Sequence, residues 1–313
     1  MENGALLQVN HLSVSFEQYT RGLKKRTLSV IEDLNLTVKA GEMTAVVGAS
    51  GSGKSLLAHG ILGLLPYNAS MSGQIFYEGC ELTEKRRKQA VGKEIVLVPQ
   101  SVSYLDPLMK VGEQVRNGDR SLEAERRCSS LLSRYGLEKE TENKYPFELS
   151  GGMTRRVLIS SALMEQPKLI IADEPTPGLH LSAAKRVLGH FRELADQGAG
   201  VLLITHDLEL ALEVADRIAV FYAGTTVEEM PAAYFQEEKK LAHPYSRALY
   251  RAMPANGFKV LSGTQPYVTE RGTGCVFASR CPGADAECQK TSIPIRKTED
   301  GWVRCRKGND VEA

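Results

Sequence analysis

No uninterrupted apolar run in the 313-residue chain approaches the roughly 18 residues that a membrane-spanning helix needs; the longest candidates are short core-like pieces such as "VLLI" and "LIIA". Any membrane role is therefore expected to come through a partner. A secretory leader is missing too, since "MENGALLQVNHLSVSFEQYT" has no basic stretch leading into an apolar one, and the expected site of action is the cytosol. An excess of one charge is also lacking: 39 Lys and Arg against 38 Asp and Glu leave +1, which gives no global field for nucleic acid. No internal repeat is visible. The six cysteines include no CxxC pair, and a reducing cytosol argues against disulfides, which moves a cysteine cluster toward metal or catalysis. What is present, 42% apolar and 25% charged residues in a chain this long, is ordinary soluble usage with ample material for a core.

The chain begins with two alternating stretches, "LLQVNHLSVSF" and "LSVIEDLNLTV", either side of the basic "RGLKKRT", which predicts antiparallel strands joined by a loop. From Met43 the pattern becomes a buried strand "MTAVVG", a Gly/Ser loop and a helical "KSLLAHGILGLL", the entry unit of an α/β fold. Residues 121–137 repeat apolar positions at helical spacing behind Ser121, with Cys128 on a helix face and Cys80 in a turn. "LIIADEP" and "GVLLITHD" read as buried parallel strands, each followed by a helix. Charged, Pro- and Gly-containing sequence over 236–266 marks a domain boundary. The Cys-bearing segment beyond it is too poor in apolar residues for its own core, so a metal or docking onto the main domain must hold it.

"GASGSGKS", Gly48 to Ser55, fits GxxxxGK[ST]. Gly48, Ser50, Gly51, Ser52 and Gly53 let successive N–H groups curl round phosphate oxygens, Lys54 reaches the β- and γ-phosphates, and Ser55 ligates Mg²⁺. "LIIADEP" delivers Asp173 to a strand end as a Mg²⁺ carboxylate, with Glu174 beside it as candidate base for the attacking water. His206 ends "LITHD", where an imidazole senses the γ-phosphate, and Gln100 ends "IVLVPQ", where an amide touches Mg²⁺ or the water. In "LSGGM", Ser150, Gly151 and Gly152 at a helix start make a second anion cradle. The chain's own P-loop cannot share it, so two chains are expected to sandwich each nucleotide.

In the tail, Cys275, Cys281, Cys288 and Cys305 are spaced C-x5-C-x6-C-x16-C, unlike the short chelate turns of zinc ribbons. Four thiolates from a loop-rich segment suit a [4Fe–4S] cluster; zinc and metal-free thiols stay open as alternatives.

This set of motifs, in this order, resembles the nucleotide-binding subunits of ABC transporters, over roughly residues 6 to 290. Walker A falls at Gly48–Ser55, the Q-loop at Gln100, the signature at Leu149–Met153, Walker B at Leu169–Asp173, the catalytic glutamate at Glu174 and the switch histidine at His206. "YLDPLMKVGEQV", "YPFELSGGMTRRV", "HPYSRAL" and "GCVFASRCPGADAEC" are similar to the oligopeptide/dipeptide/nickel importer ATPases. The resemblance implies an α/β P-loop ABC ATPase with a RecA-like core, an antiparallel β subdomain and a helical signature subdomain over 6–235, and a small Cys-bearing extension over 236–313. It implies ATP and Mg²⁺, and a [4Fe–4S] cluster at the four cysteines in some dipeptide-type members. As partners it implies a second homologous ATPase forming a heterodimer, two transmembrane permeases and an extracellular solute-binding protein, with no nucleic acid, the chain lying peripherally on the cytoplasmic face of the membrane. Peptides are the first expected cargo, nickel or a metal chelate the alternative. An exporter gives no reason for the His-Pro-Tyr tail, and a DNA-repair-type ABC ATPase needs a longer insertion than Ser55 to Leu149 allows. Two departures stand out. "TPGLH" replaces the family's usual SALD or TALD, putting His180 where a carboxylate is normal and implying unequal sites, and the adenine-stacking aromatic lies between Phe16 and Tyr19, with Tyr19 expected in a loop.

Overall fold

The computed structural model describes residues 4–20, 22, 24–49 and 51–308. Alternating apolar residues pair β1 (Ala5–Tyr19) with β2 (Lys25–Lys39) in antiparallel register, burying Leu7, Val9, Leu12 and Val14 beside Ile31, Leu34, Leu36 and Val38. β3 (Met43–Val47) is buried at every position, as a central strand requires. α1 (Lys54–Leu62) stops earlier than the apolar pattern predicts because Gly63 takes a left-handed conformation at its end. β4 (Ala69–Tyr77) returns along β1, and β5 (Cys80–Glu81) pairs with its end, so Cys80 lies in a short strand, not the expected turn.

After α2 (Glu84–Ala90) and β6 (Ile95–Val98) comes a helical layer of α3 (Val111–Val115), α4 (Leu122–Arg134) and α5 (Gly151–Ala162). Ser121 Oγ accepts from the Ala124 N–H (3.2 Å) to start α4. The buried face of α4, Cys128 included, packs with Val111, Val115 and Val157 in a core of its own. β7 (Leu169–Asp173), α6 (Leu181–Asp196), β8 (Gly200–Thr205), α7 (Leu208–Val214) and β9 (Arg217–Tyr222) then alternate, and β10 (Thr225–Pro231) folds back antiparallel. The chain ends with α8 (Pro244–Ala252), α9 (Ala286–Lys290), β11 (Arg296–Lys297) and β12 (Trp302–Val303). One sheet runs β2-β1-β4-β5; the other runs β11-β12-β10-β9-β3-β8-β7-β6, with β9, β3, β8, β7 and β6 parallel.

The segment beyond α8 docks onto the larger sheet and its core. β12 adds to β10, and Phe277, 1% exposed, meets Tyr222 edge-on (5.3 Å between centroids) and lies beside Tyr245 in the main core. Burying a ring of that size contributes about 1.5–3 kcal/mol. Arg304 Nη1 reaches the Asp33 carboxylate (2.6 Å) and Nη2 the Asp33 carbonyl (2.8 Å), while Arg271 Nη1 donates to the Val30 carbonyl (3.0 Å). Both arginines grip β2, the strand whose Val30 and Ile31 lie against Gly53 of the P-loop.

Candidate functional site

The ends of β3, β6, β7 and β8 build the site, because parallel strands bring their C-terminal ends to one edge of a sheet. β3 feeds the glycine loop. A Cβ on Gly48 would lie 2.2 Å from the Phe221 carbonyl, so only glycine lets the loop pass β9, and Gly53 (φ +105°) turns it into α1. Ser52, 1% exposed, donates through Oγ to the Ala49 carbonyl (2.7 Å). Lys54 folds over the loop, its Nζ donating to the carbonyls of Gly48 (2.9 Å) and Ala49 (2.9 Å). Burial pushes the Lys54 ammonium below its ordinary range, against the pull of Glu174 and Asp173. Gly51 is also left-handed (φ +74°), and Ser50 lies outside the described residues.

Asp173 ends β7 at 4% exposure. Burial raises its carboxyl, the nearby Ser55 hydroxyl works against that rise, and its Oδ1 is buried without a hydrogen-bond partner. A hydroxyl and an unfilled carboxylate oxygen side by side are hard donors of the kind Mg²⁺ takes, so the residues fit that ion.

Glu174 is the meeting point of the expected catalytic groups. Gln100 Nε2 donates to its Oε2 (3.1 Å), and His206 Nδ1 lies 3.1 Å from its Oε1. Gln100 is thus joined to Glu174, and its amide was expected to touch Mg²⁺ or the attacking water. The Glu174 side chain is 12% exposed and His206 51%, so the carboxylate is sheltered and the imidazole reaches out. Glu174 is left-handed at φ +44°, a costly state for a residue with a Cβ.

Ser150 caps α5 by accepting the Met153 N–H (3.3 Å), leaving the Gly151 and Gly152 N–H groups in the first turn. Ser150, Gly152, Gly178, Leu179 and His180 line one cavity, and no described residue of the Gly48–Ser55 loop lines it. His180 stands at the N-terminus of α6 without a capping bond from its side chain. Tyr19 is the last residue of β1, correcting the loop placement; its ring is 68% exposed, with the Lys25 ammonium 5.7 Å from the centroid.

Cys275, Cys281, Cys288 and Cys305 all line one cavity, together with His243 and Phe277. Burial pushes the Cys275 thiol up to about 11 and raises Cys281 as well. Among the described residues no group of three His, Cys, Asp or Glu side chains is arranged to hold a metal ion.

Residues 31–177 match the model of the ABC transporter family, and 227–288 match the oligopeptide/dipeptide transporter C-terminal region. The dipeptide transport ATP-binding protein DppD of Haemophilus influenzae is 34% identical over 98% of this chain and 98% of its own length. The chain belongs to the ABC transporter ATP-binding family. Another relative, the oligopeptide transport ATP-binding protein OppF of the same organism, is 32% identical over 96% of this chain and 97% of its own. Among solved structures, the dimeric ATP-binding cassette MJ0796 in a post-hydrolysis state with ADP and Pi covers 72% of this chain and 98% of its own, at 25% identity and TM-score 0.63. As an ABC ATPase the chain binds and hydrolyses ATP, and no helix among the described residues is long and apolar enough to cross a membrane.

Sequence reasoning missed Arg155, whose buried guanidinium bridges Pro99 and Glu174, and Glu228, which ties β10 to α8. Neither belongs to a motif that phosphate chemistry dictates. A charged residue on the inward face of its element is the only local signal.

Proposed function

We propose that this chain is the ATP-hydrolysing subunit that powers import of peptides through partner membrane permeases, paired with a second homologous ATPase and fed by an extracellular solute-binding protein. It would act peripherally on the cytoplasmic face. Relatives named for dipeptide and oligopeptide transport, similar over almost the whole chain, support the cargo, as does the match to the peptide-transporter C-terminal region. Residues 6–235 form the cassette in this reading and 236–313 the docked extension.

The carrying observation is the Gln100–Glu174–His206 constellation at the strand ends beside Lys54. Lys54 and the loop N–H groups hold the β- and γ-phosphates. Ser55 and Asp173 would hold Mg²⁺, which would offset phosphate charge. Glu174 accepts the proton of the attacking water, Gln100 and His206 fix that carboxylate from either side, and Tyr19 stacks on adenine. Ser150, Gly151 and Gly152 engage the ATP held by the partner ATPase. Closure of the pair moves the permeases, and hydrolysis resets them. A [4Fe–4S] cluster at Cys275, Cys281, Cys288 and Cys305 is the further part of the proposal, supported by the one cavity they line. There it would staple the extension.

Glu174→Gln is the direct test. Losing the base is expected to cut hydrolysis about 10²–10⁴-fold with ATP binding intact. Peptide-dependent stimulation of the wild-type ATPase in the assembled transporter supports the cargo, whereas stimulation by nickel and not by peptides overturns it.

A further inference from the structure

Arg155 lies in the second turn of α5, 6% exposed, and spends one guanidinium nitrogen on two carbonyls: Nη1 donates to Pro99 (3.2 Å) and to Glu174 (3.1 Å). Those carbonyls stand where the sheet opens. The β6–β7 ladder ends at Val98 and Ala172, and the β7–β8 ladder at Asp173 and Ile204, so the Pro99 and Glu174 carbonyls lie just past the paired residues. Pro99 immediately precedes Gln100, and Glu174 carries the carboxylate that Gln100 meets.

The Glu174 backbone is left-handed at φ +44°, a conformation that costs about 1–3 kcal/mol and persists only when its surroundings enforce it. Two contacts pin that residue's backbone. Its N–H donates to the Ile204 carbonyl of β8 (2.8 Å), and its carbonyl accepts from Arg155. Burial disfavours the guanidinium charge, and the Glu174 and Asp173 carboxylates oppose that loss. An apolar side chain here would leave the Pro99 and Glu174 carbonyls without this donor.

We propose that Arg155 is a positioning residue for hydrolysis: its guanidinium ties the signature helix α5 to the Gln100–Glu174 pair and sets the aim of the Glu174 carboxylate. Ser150 opens the same helix less than two turns away, so a displacement of the signature is carried as a rigid body to Arg155 and from there to Glu174. Ser150 faces the partner's nucleotide and Glu174 the chain's own. Arg155 therefore links the engagement of one ATP to the chemistry of the other. The inference rests on the reading of Glu174 as the base.

The test compares Arg155→Lys and Arg155→Met in the full-length chain within its transporter complex, measuring kcat and KM for ATP and the affinity for a fluorescent ATP analogue. A lysine keeps the charge but cannot reproduce the guanidinium's placement. The expected result is kcat lower by about 10-fold for Lys and about 100-fold for Met, with analogue affinity within about 2-fold, since a misplacement near 1 Å costs on that order. In a Gln100→Ala background the loss from Arg155→Lys should shrink below about 3-fold, because residues acting through one network are non-additive. A purely structural role loses the same factor in both backgrounds, and that result overturns the inference, as does an Arg155→Lys kcat within about 2-fold of wild type. If the methionine variant does not fold, the lysine variant decides. Glu174→Gln separates the two levels: normal kcat there removes the reading of the base itself, whereas abolished hydrolysis there with normal Arg155→Lys removes only the role of Arg155.

Discussion

Glu228 is a carboxylate that ought to be easy to ionise and is not. It sits on β10 at 2% exposure, with Oε1 accepting from the Ala242 N–H (2.6 Å) and Oε2 from the His243 N–H (2.9 Å) at the start of α8. Burial is the largest influence, outweighing the Ser246 hydroxyl, the two backbone donors and the Arg247 charge, and it pushes the carboxyl up to about 7 from 4.5. The folded protein thus binds this proton more tightly than the unfolded chain does. The resulting stability is complete below pH 4.5 and is lost as pH rises through 7. The whole linkage is about 3 kcal/mol, most of which falls between pH 5 and pH 8. Glu228→Gln copies the neutral acid in shape and does not titrate. Whatever the variant costs at pH 5, it should gain on the wild type by roughly 2–3 kcal/mol at pH 8. His243 acts in the other sense: burial and then Arg247 push its imidazole down to about 3, so acid below 6.5 destabilises the fold. That contribution is common to both proteins and cancels in their difference. Urea unfolding of the two full-length proteins across this pH range, compared at a common m-value, gives the number. A flat difference, or one that moves in the wild type's favour as pH rises, refutes the reasoning and means the donors of α8 keep Glu228 ionised throughout.

His180→Asp should stabilise the fold by about 1 kcal/mol, because Asp is a preferred N-cap and His180 makes no capping bond at the start of α6. With the partner ATPase present it should also change the ATPase rate, and an unchanged rate removes the idea that His180 makes the two composite sites unequal. Anaerobically purified wild type should carry iron, acid-labile sulfide and absorbance near 400 nm, all reduced in Cys281→Ser; a colourless, iron-free wild type with the extension folded rules the cluster out.

Much of the site was legible because its residues answer to a ligand of known chemistry. A phosphate wrapped by backbone N–H groups needs glycines, a lysine and a hydroxyl within one short loop; Gly48 passes close to β9, Gly53 is left-handed and Lys54 folds back over the loop. Buried strands ending in a carboxylate or an imidazole announced Asp173, Glu174 and His206 in the same way, and the first two strands were plain from their alternation. Tyr19 was misplaced by a boundary effect, since nothing in its polar neighbourhood shows where β1 stops pairing with β2. The docking of the extension was harder. β11 and β12 have two residues each, too few for any periodicity, and they exist because β10 offers them an edge. Arg155, Arg271 and Arg304 were illegible for a deeper reason. Each donates to main-chain carbonyls, of Pro99 and Glu174, of Ser29 and Val30, and of Asp33. Every residue has a carbonyl, so the acceptor leaves no mark on the sequence, and the distance along the chain hides the pairing. The residues that grasp the nucleotide can therefore be read one at a time, whereas those that hold the graspers in place become visible only when the strands have been laid side by side.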